Sequence, residues 1–212
     1  MIQLGKSTTA VEKTKYEEMW SIPSYGDISP GANIADAFAK ISECKPGETL
    51  IDLGTGSGKA ALRLQNHYRL NVQTLDITTK CMVPDAFDLF GKTHTEACLW
   101  GDWPETANLR YGNGLDPLDY AYCCDVMEHI PPEFTMLCLN NMFRSARHVF
   151  IQVDVEQEGW GRLINETLHL TVMPFEWWRD HIAEFGEILD CRDMIAKIRR
   201  SIFYVRSNLV CQ

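Results

Sequence analysis

Three glycines, Gly54, Gly56 and Gly58, follow directly on the apolar run "LIDL", which carries Asp52. Glycine accepts positive φ and lets a ligand lie against the backbone. A helix opening behind such a loop offers free N–H groups and a partial positive charge. A second carboxylate, Asp76, ends the next apolar run in "QTLDIT", where it can accept both hydroxyls of a ribose. A third, Asp125, ends "YAYCCDV", with Glu128 and His129 close behind in "MEHIPP". An ordinary imidazole titrates near neutrality, which suits proton transfer. The P-loop pattern does not occur, and the dinucleotide fingerprint fails because Lys59 stands where its third glycine would fall.

These residues need a scaffold that brings strand tips together. "TLIDLG", "NVQTLDI", "HTEACLW", "LDYAYCCDVM" and "HVFIQVDV" read as strands, and the segments between them as helices. "KAALRLQNHYRL" has strong helix formers, and "PPEFTMLCLNNMFRSAR" has Pro at its first turn. Alternation of strand and helix predicts an α/β, Rossmann-like, doubly wound sheet that is mostly parallel. "EILDCRDMI" and "RSIFYVRSNLV" predict a terminal antiparallel strand pair, after a helix beginning near Pro174. A short helix followed by a loop is expected in the first thirty residues, and another helix in "NIADAFAKISEC", with Asn33 as its cap. The chain reads as a single domain, 1–212. Residues 1–32 form a lid-like helix and loop, 45–155 a cofactor-binding core, and 156–212 a substrate-side segment with the terminal strands.

The net charge of −9 repels phosphate backbones, so duplex nucleic acid is disfavoured as a partner. The basic cluster Lys197, Arg199 and Arg200 reads as a solvated strand end or turn, with a phosphate site as the alternative. Eight cysteines, several inside apolar runs and none in CxxC spacing, read as buried thiols in a reducing cytosol. A cytoplasmic chain is expected, because no secretory segment opens the sequence and no apolar run is long enough to span a membrane.

"LIDLGTGSGKAALRL", "TLDIT" and "YAYCCDVMEHIPPE" together resemble the class I S-adenosylmethionine-dependent methyltransferases, over about residues 45–155. "HLTVMPFEWW" resembles a segment of small bacterial and phage members of that family. The resemblance implies S-adenosyl-L-methionine as cofactor. It implies Asp52, Gly54 and Thr55 near the methionine end, Gly56 and Gly58 as points of close approach, and Asp76 and Ile77 at the ribose. An acid usual beside the adenine is replaced by Cys98; Leu99 and Trp100 are expected to flank the ring, with Asp102 standing in for the acid. Asp125 is implied to line the site of methyl transfer.

Methyl transfer from a sulfonium is an in-line displacement with a neutral leaving group, so positioning is the main requirement. A base helps only where the acceptor carries a proton of high pKa. The catalytic candidates are His129, Asp125 and Glu128; for Glu128 and His129 the alternative is a role in fixing the loop. Some members of the family use such a pair to hold a metal; with no third ligand evident, no metal is expected here. Tyr16, Trp20, His169 and Trp177 are candidates for the substrate pocket, each with a core-packing alternative. The Asn/Asp-Pro-Pro-aromatic motif of DNA amino-methyltransferases is absent, which favours a small molecule, a sugar or a modified nucleotide over duplex DNA as acceptor, with RNA, peptide and protein acceptors left open. A non-catalytic binding module and an NAD-linked oxidoreductase are the alternatives, and the sequence leaves the oligomeric state open.

Overall fold

The computed structural model describes residues 8–27, 29–103, 117–194 and 200–210. Seven strands form one sheet: β1 (Thr49–Leu53), β2 (Asn71–Asp76), β3 (Thr95–Glu96), β4 (Leu118–Cys124), β5 (Ala146–Asp154), β6 (Gly186–Asp193) and β7 (Arg200–Ser207). Their order is β3-β2-β1-β4-β5-β7-β6. The first five strands pair in parallel, and β7 runs antiparallel to both β5 and β6.

The side-chain alternation of the strands shows why the sheet is covered twice. Ile51, Leu53, Ala121, Cys123, Val149, Ile151, Phe203 and Val205 enter one apolar core. Their neighbours Leu50, Tyr120, Tyr122, Phe150, Ile202 and Tyr204 enter the other. Both faces therefore demand helices, which is why these strands read as continuous apolar runs. The first core is closed by α6 (Thr135–Ser145) and α7 (Phe175–Ile182), through Cys138, Met142, Phe143, Trp178 and Ile182. The second is closed by α3 (Pro30–Ser42), α4 (Lys59–Asn66) and α5 (Pro84–Phe90), through Phe38, Ala61, Leu64, Ala86 and Phe90. Two further helices, α1 (Thr9–Trp20) and α2 (Pro23–Gly26), precede them.

Several expectations shift in detail. α3 starts at Pro30 behind Ser29, so Asn33 lies inside the helix and not at its cap. Proline's fixed φ and missing N–H suit it to that first position. The third strand shrinks to Thr95–Glu96, and beyond it Leu99 and Trp100 turn into the first core. A 3-10 turn, Pro132–Phe134, precedes α6. All seven cysteines among the described residues are free, and five of them are buried. No described helix is long and apolar enough to cross a membrane.

Gly58 (φ +76°) caps α4, and a Cβ there would stand 2.4 Å from Ala86 Cβ. Gly58→Ala should cost about 1–3 kcal/mol from left-handed strain and forced repacking of α5. That corresponds to a Tm lower by about 3–10 °C in thermal unfolding. An unchanged Tm would show that α5 moves aside freely.

Candidate functional site

The strand order reverses between β1 and β4, and the crevice beyond the carboxyl ends of adjacent strands at such a point is where ligands bind. Three acids sit at those tips: Asp52 in β1, Asp76 ending β2 and Asp125 just after β4. Asp125 takes a left-handed conformation (φ 61°), unusual outside glycine, and its N–H donates to the Gln152 carbonyl at 3.0 Å. This aims a carboxylate across the crevice that a straight strand end would point elsewhere.

The glycine loop is built by its own hydrogen bonds. Gly54 and Thr55 N–H both donate to the Leu75 carbonyl, at 2.9 and 3.1 Å. Thr55 Oγ1 donates to the Asp52 carbonyl at 2.8 Å. Asp76 Oδ2 accepts from Gly56 N–H at 2.8 Å, and its Oδ1 from Thr78 N–H at 3.3 Å. Gly54, Gly56 and Gly58 all have positive φ. A Cβ on Gly54 would meet Val126 at 2.4 Å, and one on Gly56 would meet the Trp20 ring at 3.0 Å. Gly56 therefore admits an indole against the backbone, while Gly54 and Gly58 serve close packing.

Two cavities flank this loop and share Trp20, Gly54, Gly56, Asp125 and His129. The smaller one holds Asp76, Ile77, Leu99, Trp100, Val126 and Ile130, and α1 contributes Glu12 and Tyr16 to its wall. Its shape is fixed by α6 and the turn before it: Asn141 Nδ2 donates to the carbonyls of Leu99 and Gly101, and Trp100 stacks on Phe134 at 5.0 Å. The larger cavity holds Asp52, Thr55, Ser57, Asp154, Glu158, His169 and Arg200, with Trp20, Tyr25 and Trp160 as an aromatic wall. Lys59 Nζ donates to the carbonyls of Gly26 and Asp27, which ties the chain after α2 to the glycine loop.

The acids are held under unusual electrostatics. Burial, and secondarily the nearby Asp76, raises the Asp52 carboxyl to about 7. Burial raises Asp76 to about 6, against the pull of the N–H groups of Gly56, Thr78 and Ile77. Burial also raises Asp125, opposed by Arg200, whose Nη2 stands 3.5 Å from Asp125 Oδ1. Among the described residues, two buried polar atoms in the cavity walls have no hydrogen-bond partner, Asp52 Oδ2 and the Tyr16 hydroxyl.

The segment at 168–171 is strapped to the turn Met127–His129. Leu170 and Thr171 N–H donate to the Glu128 carbonyl at 2.7 and 2.9 Å, and Thr171 Oγ1 to the Ile130 carbonyl at 2.6 Å. Glu128 is fully buried, and one of its oxygens accepts from Asp154 N–H at 2.7 Å. His129 stands between His169, at 4.7 Å between ring centroids, and the edge of Tyr16, at 5.7 Å. Burial and the neighbouring His169 lower the His129 imidazole to about 3, so it is neutral at physiological pH and not the near-neutral base expected from its type.

Most of the expected residues converge on the two cavities; four do not. Gly58 lies beneath the loop against Ala86. Glu128 faces Asp154 behind the cavity walls. Trp177 lies outside both cavities, its ring stacked on His181 at 3.9 Å and edge-on to Trp178. Asp102 also lines neither cavity, while Cys98 lines the smaller one. Lys197 and Arg199 lie outside the described residues, but Arg200 faces the cavity and is no solvated strand end. Asp154 was legible as a fourth carboxylate at a strand tip, in "HVFIQVDV". Glu12, Tyr25, Glu158 and Trp160 carried no such signal, because they come from segments outside the strand–loop pattern.

No family model matches the chain. Phosphoethanolamine N-methyltransferase 2 of Caenorhabditis elegans is 26% identical over 118 residues, 55% of this chain and 25% of that protein. A structure of Haemonchus contortus phosphoethanolamine N-methyltransferase 2 with S-adenosyl-L-methionine superposes with a TM-score of 0.61 at 16% identity, covering 97% of this chain and 59% of that one. The N-methyltransferase NodS of Bradyrhizobium japonicum, with S-adenosyl-L-homocysteine, gives 0.62 at 10% identity, over 93% of this chain and 98% of that one. The match thus spans about a quarter of the curated relative and under two thirds of the Haemonchus chain, but nearly all of NodS.

Proposed function

We propose that this chain, which has the fold of the class I S-adenosylmethionine-dependent methyltransferases, is itself such an enzyme and acts on a small molecule, a sugar or a modified nucleotide. One observation carries the reading: two adjoining cavities flank the glycine loop, one holding the unpartnered Asp52 Oδ2 and the other Asp76. The likeness to methyltransferases of known structure supports it. The residues fit the cofactor. Asp52 Oδ2 lacks the cationic donor that a methionine ammonium would provide. Asp76 keeps lone pairs for ribose hydroxyls beyond those used by Gly56 and Thr78. Ile77, Leu99, Trp100 and Ile130 make an apolar slot for the adenine, with Glu12 as the acid at its rim.

When bound, the cofactor supplies an electrophilic methyl group on a sulfonium with a neutral leaving group. The chain's task is then to orient the acceptor and exclude water. Asp125 and His129 belong to both cavities, so they would flank the cofactor's reactive end, and the larger cavity, with Asp154, Glu158, His169 and Arg200, would hold the acceptor. Neutral His129 has Nδ1 directed at the Leu168 carbonyl, which fixes its ring where the two cavities meet. Helix α1 covers the smaller cavity with Glu12, Tyr16 and Trp20 and acts as its lid. Alignment of this kind is worth several kcal/mol of barrier.

Calorimetry with S-adenosylmethionine and S-adenosylhomocysteine tests the cofactor, with about one equivalent bound expected. A screen across acceptor classes that reads S-adenosylhomocysteine release tests the transfer. Absence of binding to either compound overturns the reading; binding without turnover on any acceptor class leaves a non-catalytic module.

A further inference from the structure

Glu128, His129 and His169 each offer a ligand atom, and the three atoms lie within 4.8 Å of one another. No third ligand was visible in the sequence, because His169 arrives from a distant irregular segment. Its position is set by the bonds that strap residues 168–171 to the Met127–His129 turn. We propose that these three side chains form a binding site for one divalent first-row transition-metal ion beside the larger cavity.

The hydrogen bonding of the cluster argues for a cation. His129 Nδ1 stands 3.2 Å from the Leu168 carbonyl, and His169 Nδ1 stands 2.6 Å from the Glu156 carbonyl. A carbonyl only accepts, so both Nδ1 atoms donate, and both Nε2 atoms carry a lone pair. Metal-binding histidines are oriented in this way, with the second ring nitrogen fixed by a backbone carbonyl or carboxylate. Glu128 adds a fully buried carboxyl whose Oε1 is held by Asp154 N–H and whose Oε2 has no partner. Beyond these bonds, each histidine keeps one nitrogen lone pair and Glu128 keeps one oxygen for a ligand. The nearby cations are committed elsewhere: Lys15 pairs with Glu12, and Arg200 with Asp125.

Two imidazoles and one carboxylate suit zinc, cobalt, iron or nickel better than magnesium or calcium, which prefer all-oxygen shells. Bonds of about 2.1 Å hold ligand atoms roughly 3–4 Å apart, so small side-chain rotations complete the site. Because both histidines line the larger cavity, the remaining coordination positions open onto it.

The test uses full-length protein stripped with chelator and titrated with Co2+ by visible absorption and with Zn2+ by calorimetry, without cofactor. We expect one equivalent bound, cobalt ligand-field bands, and no comparable heat from Mg2+. Glu128→Gln keeps an acceptor for Asp154 N–H and should weaken Zn2+ at least tenfold. His169→Ala should abolish the cobalt bands, while the exposed control His67→Ala leaves both unchanged. Lack of Zn2+ binding by wild type, or equal binding by Glu128→Gln and His169→Ala, overturns the site. Affinity for S-adenosylhomocysteine is read on the same samples, so failure of the metal site and failure of the cofactor reading are separable.

Discussion

Asp76→Ala should weaken S-adenosylmethionine binding by about 10- to 100-fold in calorimetry. The carboxylate is placed to accept ribose hydroxyls, and a hydrogen bond to a charged group is worth about 1.5–3 kcal/mol. It also holds the glycine loop, through Gly56 N–H at 2.8 Å and Thr78 N–H at 3.3 Å. Removing it therefore takes away a ligand contact and the acceptor that shapes the bend. Asp76→Asn separates the two effects. Its amide oxygen can still accept from one N–H of the loop, but it brings no charge, so its loss should fall between wild type and Asp76→Ala. Wild-type affinity in Asp76→Ala would remove Asp76 from the cofactor site and leave it as a loop brace.

The strand tips were readable because the chemistry and the fold share one signal there. A strand buried on both faces must be apolar to its end, so an acid at that end, as at Asp52, Asp76 and Asp125, stands out. The glycine loop was readable for the same reason, since positive φ at Gly54, Gly56 and Gly58 restricts the residue type. What came from elsewhere was not. Arg200 looked like a solvated strand end, and only the pairing of β7 against β5 turns it toward Asp125. Trp177 and Trp178 are adjacent, yet the helix that carries them buries Trp178 in the core and leaves Trp177 on His181, away from the crevice. His129 kept its place but not its expected basicity, because proximity to His169 and burial are tertiary facts. Glu12 reached the smaller cavity because α1 folds over the sheet edge, which no local pattern specifies.

Cofactor affinity should rise with pH, by at least about tenfold between pH 5 and pH 8. Asp52 and Asp76 titrate at about 7 and about 6 in the free protein, chiefly because burial penalises their charged forms. Near pH 5 both carboxyls hold protons. Binding an ammonium and ribose hydroxyls favours the carboxylates, so the cofactor must displace those protons, at about 1.4 kcal/mol for each pKa unit. Above pH 8 that cost is gone. Between these limits, binding should release protons, up to about two per cofactor, seen as a calorimetric enthalpy that depends on the buffer. The free protein should show the opposite trend. Unfolded, these carboxyls titrate near 4, so the folded state holds protons the unfolded state has lost, and their contribution to stability declines as pH rises from about 4 through about 7. The cofactor's gain in Tm should accordingly be largest at pH 8, where the apo protein carries two buried carboxylate charges. Affinity that is flat over this range, with a buffer-independent enthalpy, would mean that Asp52 and Asp76 do not change protonation on binding. The sulfonium's methionine and ribose groups would then need other partners in the cleft.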